Sequence, residues 1–323
     1  MTTLIVVAVV LGAGAVITFI GTHLINRSHL PGGRFIDVGG FRQHVIELGD
    51  DAAAGGPPVV LLHGAGANLQ DMNLALGERL AIRRRVILVD RPGFGFSART
   101  EGDCSSPASQ ASVLRELLDK LGIERAIVVG HSWGGALALT FALDFPQRVA
   151  GLVLVAAPTH PAFAGMAKIN ALLATPIGWL FAYTLAFPFG ALLIWPGSRT
   201  AFLPQTIPAG YVKRTATMLV LRPRTLLANW ADIGSLDAFL DQQAARYSGL
   251  GAPTIALAGD SDPLVPPQQH AVKLAAATPV VKVEVLPGFG HMLHHAAADR
   301  VVAAVDEIAD QVGARMLSAE SAG

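Results

Sequence analysis

The sequence predicts an α/β fold, a mostly parallel central sheet covered by helices on both faces, and three observations lead there. Short strand-like runs recur at residues 59–62, 86–90, 126–129, 151–157, 253–259 and 282–286, most of them continuously apolar. Helical patterns separate them. Strands buried on both faces lose the polar alternation of a half-exposed strand, and parallel neighbours need crossover helices, so these two features go together. The third observation is residues 126–135, where an apolar run meets Gly130-His131-Ser132-Trp133-Gly134 and a run of small and apolar residues follows. The order is strand, sharp turn, helix.

A chain of 323 residues can form one large α/β domain with an insertion, or two domains. Lys plus Arg and Asp plus Glu both number 24, so the net charge is zero and no overall field draws nucleic acid or an acidic partner. The chain is 52% hydrophobic and only 15% charged, whereas an ordinary soluble protein is about 25% charged. That balance points to lipid. A single cysteine, Cys104, excludes an internal disulfide and, in a polar loop, reads as an incidental thiol.

Residues 4–25 contain no Lys, Arg, Asp or Glu, and a bilayer core needs about 20 apolar helical residues. A cleaved signal would carry basic residues ahead of a shorter apolar run and a small-x-small cleavage site. No basic residue precedes Leu4, and Asn26-Arg27-Ser28-His29-Leu30-Pro31 is no such site. Residues 1–33 are therefore expected to be an uncleaved single-pass anchor with its linker. Arg27, Arg34 and Arg42 all follow the span, which places the catalytic domain on the cytoplasmic side.

Residues 34–48 read as two short strands about a Gly39-Gly40 turn. The strand at 59–62 ends in His63-Gly64-Ala65-Gly66-Ala67-Asn68, and the strand at 86–90 leads into Arg91-Pro92-Gly93-Phe94-Gly95-Phe96-Ser97. Residues 109–121 form an amphipathic helix pattern. At 130–134 a side chain at the tip of a strand-to-helix turn requires strained backbone, and residues two before and two after it must lack Cβ atoms. Gly130 and Gly134 meet that need, and Gly135 allows close packing of the helix. Ser132 is thus the candidate nucleophile. An unaided serine hydroxyl is weak, so a histidine base and an orienting acid are required, in the chain order Ser, Asp/Glu, His. The backbone N–H of Trp133, next after the nucleophile, is one candidate oxyanion donor.

Taken in order, His63-Gly64, residues 90–97, Gly130-His131-Ser132-Trp133-Gly134, Gly259-Asp260-Ser261-Asp262 and Gly290-His291 resemble the α/β-hydrolase fold superfamily over residues 34–315. The resemblance implies a core at 34–157 and 251–315, a helical cap at 158–250 inserted after the sixth strand, and a polar tail at 316–323. It implies the backbone N–H of Ala65 as second oxyanion donor, with His63 hydrogen-bonded inside its own loop. It places the acid after the strand at 253–259, where Asp262 matches the family pattern and Asp260 competes; the loser would cap the helix near Pro267. His291 matches the family's base loop through Gly288, Phe289, Gly290 and Met292. His294 and His295 then lie at the surface or behind the triad. No Cys or carboxylate cluster accompanies the three histidines in sequence, so neither a metal nor a cofactor is expected.

The cap is unusual in composition. Residues 169–198 hold no charge but carry Trp179, Phe181, Tyr183, Phe187, Phe189 and Trp195. Pro176, Pro188 and Pro196 favour short broken helices over one membrane span. This stretch serves either as the cap's own core or as an acyl- or aromatic-binding wall that can also dip into lipid. Lys213, Arg214, Arg222 and Arg224 either meet lipid headgroups or solvate the cap's outer face. The expected activity is a serine hydrolase for carboxylic esters with apolar acyl or aromatic groups, its partners a small apolar ester and membrane lipid. Related enzymes with an aspartate nucleophile are excluded by Ser132. C–C bond hydrolases and cofactor-free perhydrolases share the triad, although this elbow carries His131 and no proline follows Gly66. A non-catalytic membrane scaffold would have no reason to keep Ser132, Asp262 and His291.

Overall fold

The computed structural model describes residues 1–50, 56–99, 104–162 and 164–320. Eight strands form one sheet in the order β1-β2-β4-β3-β5-β6-β7-β8. They are β1 (Arg34–Val38), β2 (Phe41–Leu48), β3 (Val59–Leu62), β4 (Val86–Val89), β5 (Ala126–His131), β6 (Val149–Val155), β7 (Thr254–Gly259) and β8 (Val281–Leu286). The β1–β2 and β2–β4 pairs are antiparallel and every later pair is parallel. This is the predicted α/β-hydrolase architecture.

Alternation within the apolar runs explains their continuity. Val60, Leu62, Val128, Leu152 and Leu154 face one buried cluster, whereas Val59, Leu61, Ile127, Val129, Val153 and Val155 face the other. Successive strand side chains point to opposite faces, so a sheet covered on both sides needs apolar residues at every position. One face is covered by α4 (Pro107–Lys120) and α5 (Trp133–Asp144). The other is covered by α2 (Leu69–Met72), α3 (Glu78–Ala81) and α13 (Ala298–Glu320), with a π turn at Asn73–Gly77 joining α2 to α3. Residues 316–320 continue α13, and the rest of the expected tail lies outside the described residues.

The strand order also positions the chemistry. From β3 the chain runs outward to β4 and then returns past β3 to β5. The carboxyl ends of β3 and β5 are therefore neighbours where the winding direction changes, the crevice in which such sheets bind ligands.

Helices inserted between β6 and β7 form the expected cap: α6 (Ala164–Leu173), α7 (Pro176–Thr184), α8 (Ala186–Phe202), α9 (Tyr211–Arg214) and α10 (Pro223–Ala244). The broken-helix reading holds between α7 and α8, which bend by 74°. Pro176 opens α7 at the first helical position, where its missing N–H costs nothing. Pro196, however, lies inside α8 without ending it. The two short helices α11 (Ala271–Ala277) and α12 (Leu293–Ala296) complete the second half of the core.

The N-terminal helix α1 (Thr2–Ser28) is long and apolar enough to cross a membrane. Its later half rests on the cap. Thr18 Oγ1 donates to Thr184 O at 3.0 Å, and a Cβ on Gly21 would collide with the Phe187 ring.

Candidate active site

Ser132 stands between β5 and α5 with φ of 51°. A non-glycine residue there is strained, and the surroundings hold it in place. Its N–H donates to Val155 O of β6 at 2.9 Å, and its carbonyl accepts from Gly135 N at 2.7 Å. The flanking glycines are required by contact: a Cβ on Gly130 would collide with the Gly134 carbonyl, one on Gly134 with the Leu62 carbonyl, and one on Gly135 with Ala157.

The chain brings Ser132, His291 and Asp262 into one line. Ser132 Oγ lies 3.0 Å from His291 Nε2, and His291 Nδ1 lies 2.8 Å from Asp262 Oδ2. With Nδ1–H donating to the carboxylate, Nε2 is left to accept the serine proton. Asp262 Oδ1 accepts from the N–H groups of Leu264 and Val265 at 2.8 and 3.0 Å. Burial alone would raise the Asp262 pKa, but the His291 contact and these two N–H donors hold it below the usual carboxylate range. Asp260 is placed elsewhere: its Oδ1 accepts from Gly288 N at 2.7 Å and braces the loop leading to His291. Accordingly, Asp262→Asn is expected to lower turnover on the order of 10⁴-fold through loss of the correct histidine tautomer. Asp260→Asn should stay within about tenfold of wild type, since its contacts lie outside the proton path; side-by-side kinetics of the two variants check this.

The loop after β3 passes directly beside the serine. A Cβ on Gly64 would lie 3.1 Å from Ser132 Cβ. Ala65 and Trp133 line the same pocket as Ser132 and His291. The Trp133 N–H opens α5, among the donors that a helix cannot satisfy internally. Asn229 of α10 accepts from Gly66 N at 2.7 Å, tying the loop to the cap. His63 hydrogen-bonds to Gly64 O at 2.8 Å and accepts from Arg91 N at 3.0 Å. Burial, then the Arg91 charge, lower its pKa to about 3, which keeps it neutral.

Two buried polar networks support this frame. In the first, the fully buried Arg91 pairs with Asp232 of α10 at 2.6 Å while its guanidinium lies over Trp133 at 4.0 Å. The Trp133 indole N–H donates to Asp232 O at 3.1 Å, so the cap holds the elbow. The second lies behind His291. Asp71 accepts from His294 and His295 at 2.8 Å each and from Tyr211 at 2.7 Å. His131 Nε2 donates to His291 O at 3.1 Å, and its ring lies over that of His294 with centroids 3.9 Å apart. Burial favours neutral Asp71, but the charges and hydrogen bonds of His294 and His295 overturn that and hold its carboxyl well below the usual range. Burial lowers His294 to about 4.

Sequence reasoning left Asp71 unassigned. The available signal was a carboxylate in the apolar turn Leu69-Gln70-Asp71-Met72 together with the paired histidines His294-His295. Of the two placements allowed for those histidines, His294 takes the one behind the triad, fully buried. Asp71, His131 and His294 are also a group whose metal-capable atoms lie within 4.8 Å of one another. The two imidazoles are tilted by 37° to one another, and the Nδ1 atoms of His131 and His294 have no hydrogen-bond partner among the described residues.

The sequence pattern of the alpha/beta hydrolase fold matches residues 57–298. The chain belongs to the alpha/beta hydrolase fold family. It is 30% identical over 275 residues to an uncharacterised protein of Mycobacterium bovis, covering 80% of this chain and 76% of that one. It is 27% identical over 266 residues to a Burkholderia cepacia 2-hydroxy-6-oxo-6-phenylhexa-2,4-dienoate hydrolase, covering 80% and 88%. Among solved structures, a thermophilic esterase from Thermogutta terrifontis superposes with a TM-score of 0.71 at 23% identity, covering 87% of this chain and 99% of that one. Ser132, Asp262 and His291 follow the ends of β5, β7 and β8 and are joined in one hydrogen-bonded line.

Proposed function

We propose that this alpha/beta hydrolase is a membrane-anchored serine esterase for carboxylic esters with apolar acyl or aromatic groups. The observation that carries the reading is the hydrogen-bonded line of Ser132, His291 and Asp262 at a cavity of about 510 Å³ walled by α8 and α10 side chains such as Leu193, Ile194, Phe202 and Leu236. In the reaction, Ser132 Oγ adds to the ester carbonyl carbon as His291 Nε2 takes its proton. The tetrahedral oxyanion faces the backbone N–H groups of Trp133 and Ala65. Collapse breaks the C–O bond, and His291 returns the proton to the leaving alcohol. Water, deprotonated by His291, then attacks the acyl-enzyme; the acid leaves and Ser132 regains its proton. No cofactor is needed.

A C–C hydrolase is the second reading, favoured by the Burkholderia relative. A dienoate substrate brings a carboxylate, whereas among the described residues no Lys or Arg lines this pocket and Asp71 stands in its wall. Charge therefore favours a neutral ester. Nothing in the pocket favours peroxide over water as the second nucleophile.

Lipid is the partner that the surface supports. In α1, Leu4 and Phe19 are each 76% exposed, and the cap adds Ile177, Leu192 and Trp195 at 72%, 76% and 55%. Exposed apolar residues in this number mark an interaction site. Leu193 is 64% exposed and also lines the triad pocket, so the pocket mouth adjoins that surface. Two results test the reading. Turnover (kcat/KM) should rise from acetyl to octanoyl esters by about fourfold per methylene, the equivalent of about 0.8 kcal/mol each. Full-length protein should also stay with membranes through an alkaline carbonate wash. A flat or falling acyl series, or release by the wash, would contradict the corresponding half.

A further inference from the structure

A second cavity, of about 1060 Å³, lies away from the triad between α1, the loop after β4 and the start of α10. Four arginines line it, Arg42, Arg99, Arg222 and Arg224, and among the described residues no Asp or Glu does. Arg99 shares the Asp232 carboxylate with Arg91, at 2.8 and 2.6 Å. The other three have no carboxylate partner among the described residues. Arg222 donates only to neutral oxygens, those of Leu219, Gly95, Thr225 and Asn26. Arg42 rests over the Phe35 ring at 5.0 Å, and Arg224 is exposed. Asp90 lies near enough to attract Arg222, but the guanidinium groups that face this cavity outnumber the carboxylates beside them and repel one another, which an anion among them relieves.

Position within the molecule says which anion. The opposite wall is α1 from Ala15 to Asn26, where Phe19 and Tyr183 of α7 supply apolar surface. At 1.5 Å rise per residue, about 20 residues of α1 cross a 30 Å hydrocarbon core, which leaves its last turns at headgroup depth. Arg222 reaches Asn26 Oδ1 there, at 3.3 Å. The cavity is thus cationic at headgroup level and apolar further along the helix.

We propose that this cavity binds one anionic phospholipid, its phosphate held by Arg42, Arg222 and Arg224 and one acyl chain lying along α1 between Phe19 and Tyr183. Guanidinium forks match phosphate oxygens two at a time. The proposal rests on reading α1 as a membrane span, but its test does not.

Full-length protein in detergent micelles doped with phosphatidylglycerol or phosphatidylcholine is examined by native mass spectrometry. Wild type should retain one phosphatidylglycerol and little phosphatidylcholine. Arg42→Gln/Arg224→Gln, two changes at the rim, should lower that retention at least tenfold while leaving acetyl-ester turnover unchanged, and Arg222→Gln should do the same if its melting curve stays cooperative. Equal retention of both lipids, or retention unaltered in the double variant, would overturn the proposal. So would loss of the bound lipid to millimolar inorganic phosphate, which would make free phosphate the ligand. Failure of the carbonate wash with selective retention intact would remove the span and leave the site.

Discussion

Ser132→Ala is expected to lower ester turnover on the order of 10⁴- to 10⁶-fold, about 5 to 8 kcal/mol of transition-state stabilisation. Its unfolding free energy should move by less than about 1 kcal/mol. Both halves follow from geometry. Among the described residues the Oγ has one hydrogen-bond partner, His291 at 3.0 Å. The backbone strain at φ of 51° is held by Val155 O and Gly135 N, which alanine keeps. What survives should be the oxyanion donors and substrate binding, which act on a water attack. Kinetics with an octanoyl ester and a thermal melt on one preparation check both values. Turnover within tenfold of wild type would remove Ser132 from the chemistry.

Asp71→Ala should act in the opposite sense, chiefly on stability. Removing the carboxylate leaves His294, His295 and Tyr211 without their acceptor in a buried site. Stranded buried donors cost about 1 to 3 kcal/mol apiece, and broken buried charged networks about 3 to 5 kcal/mol in all. For a chain of 323 residues that corresponds to a fall in Tm of about 4 to 7 °C. Asp71→Asn keeps one acceptor oxygen and should lose roughly half as much. Because His131 and His294 stack behind His291, whose carbonyl accepts from His131, turnover should fall with the melt. A melting temperature unchanged in Asp71→Ala would show that the network does not hold the base loop.

What was legible in the sequence was local. Continuous apolar runs disclosed the doubly covered strands, and Gly130, Gly134 and Gly135 disclosed the elbow, because backbone clashes there leave no other residue. Asp262 and His291 were read from the resemblance of their loops to the family pattern, and spacing after the strand alone did not separate Asp262 from Asp260. Three-dimensional convergence was not legible. Asp71 and His294 are far apart in sequence and meet only through the docking of α12 against α2 and the turn after it. The Arg91–Asp232 pair likewise joins a core loop to the cap. Nor could hydropathy show that the later half of α1 would rest on α7 and α8, since one apolar run serves lipid and protein contacts equally well. Thr18 on Thr184 O and Gly21 beneath Phe187 are the features that settle it.

The most direct measurement is labelling of the full-length, detergent-solubilised protein with a fluorophosphonate, followed by mass spectrometry of the modified peptide. Phosphonylation requires a serine oxygen activated by a base and an oxyanion site ready to receive the phosphoryl oxygen. The geometry at Ser132 predicts a single modified residue, Ser132, with labelling abolished in Ser132→Ala and strongly slowed in His291→Ala. A folded protein that takes no label, or takes it at another serine, would contradict the assignment of this triad as the working centre.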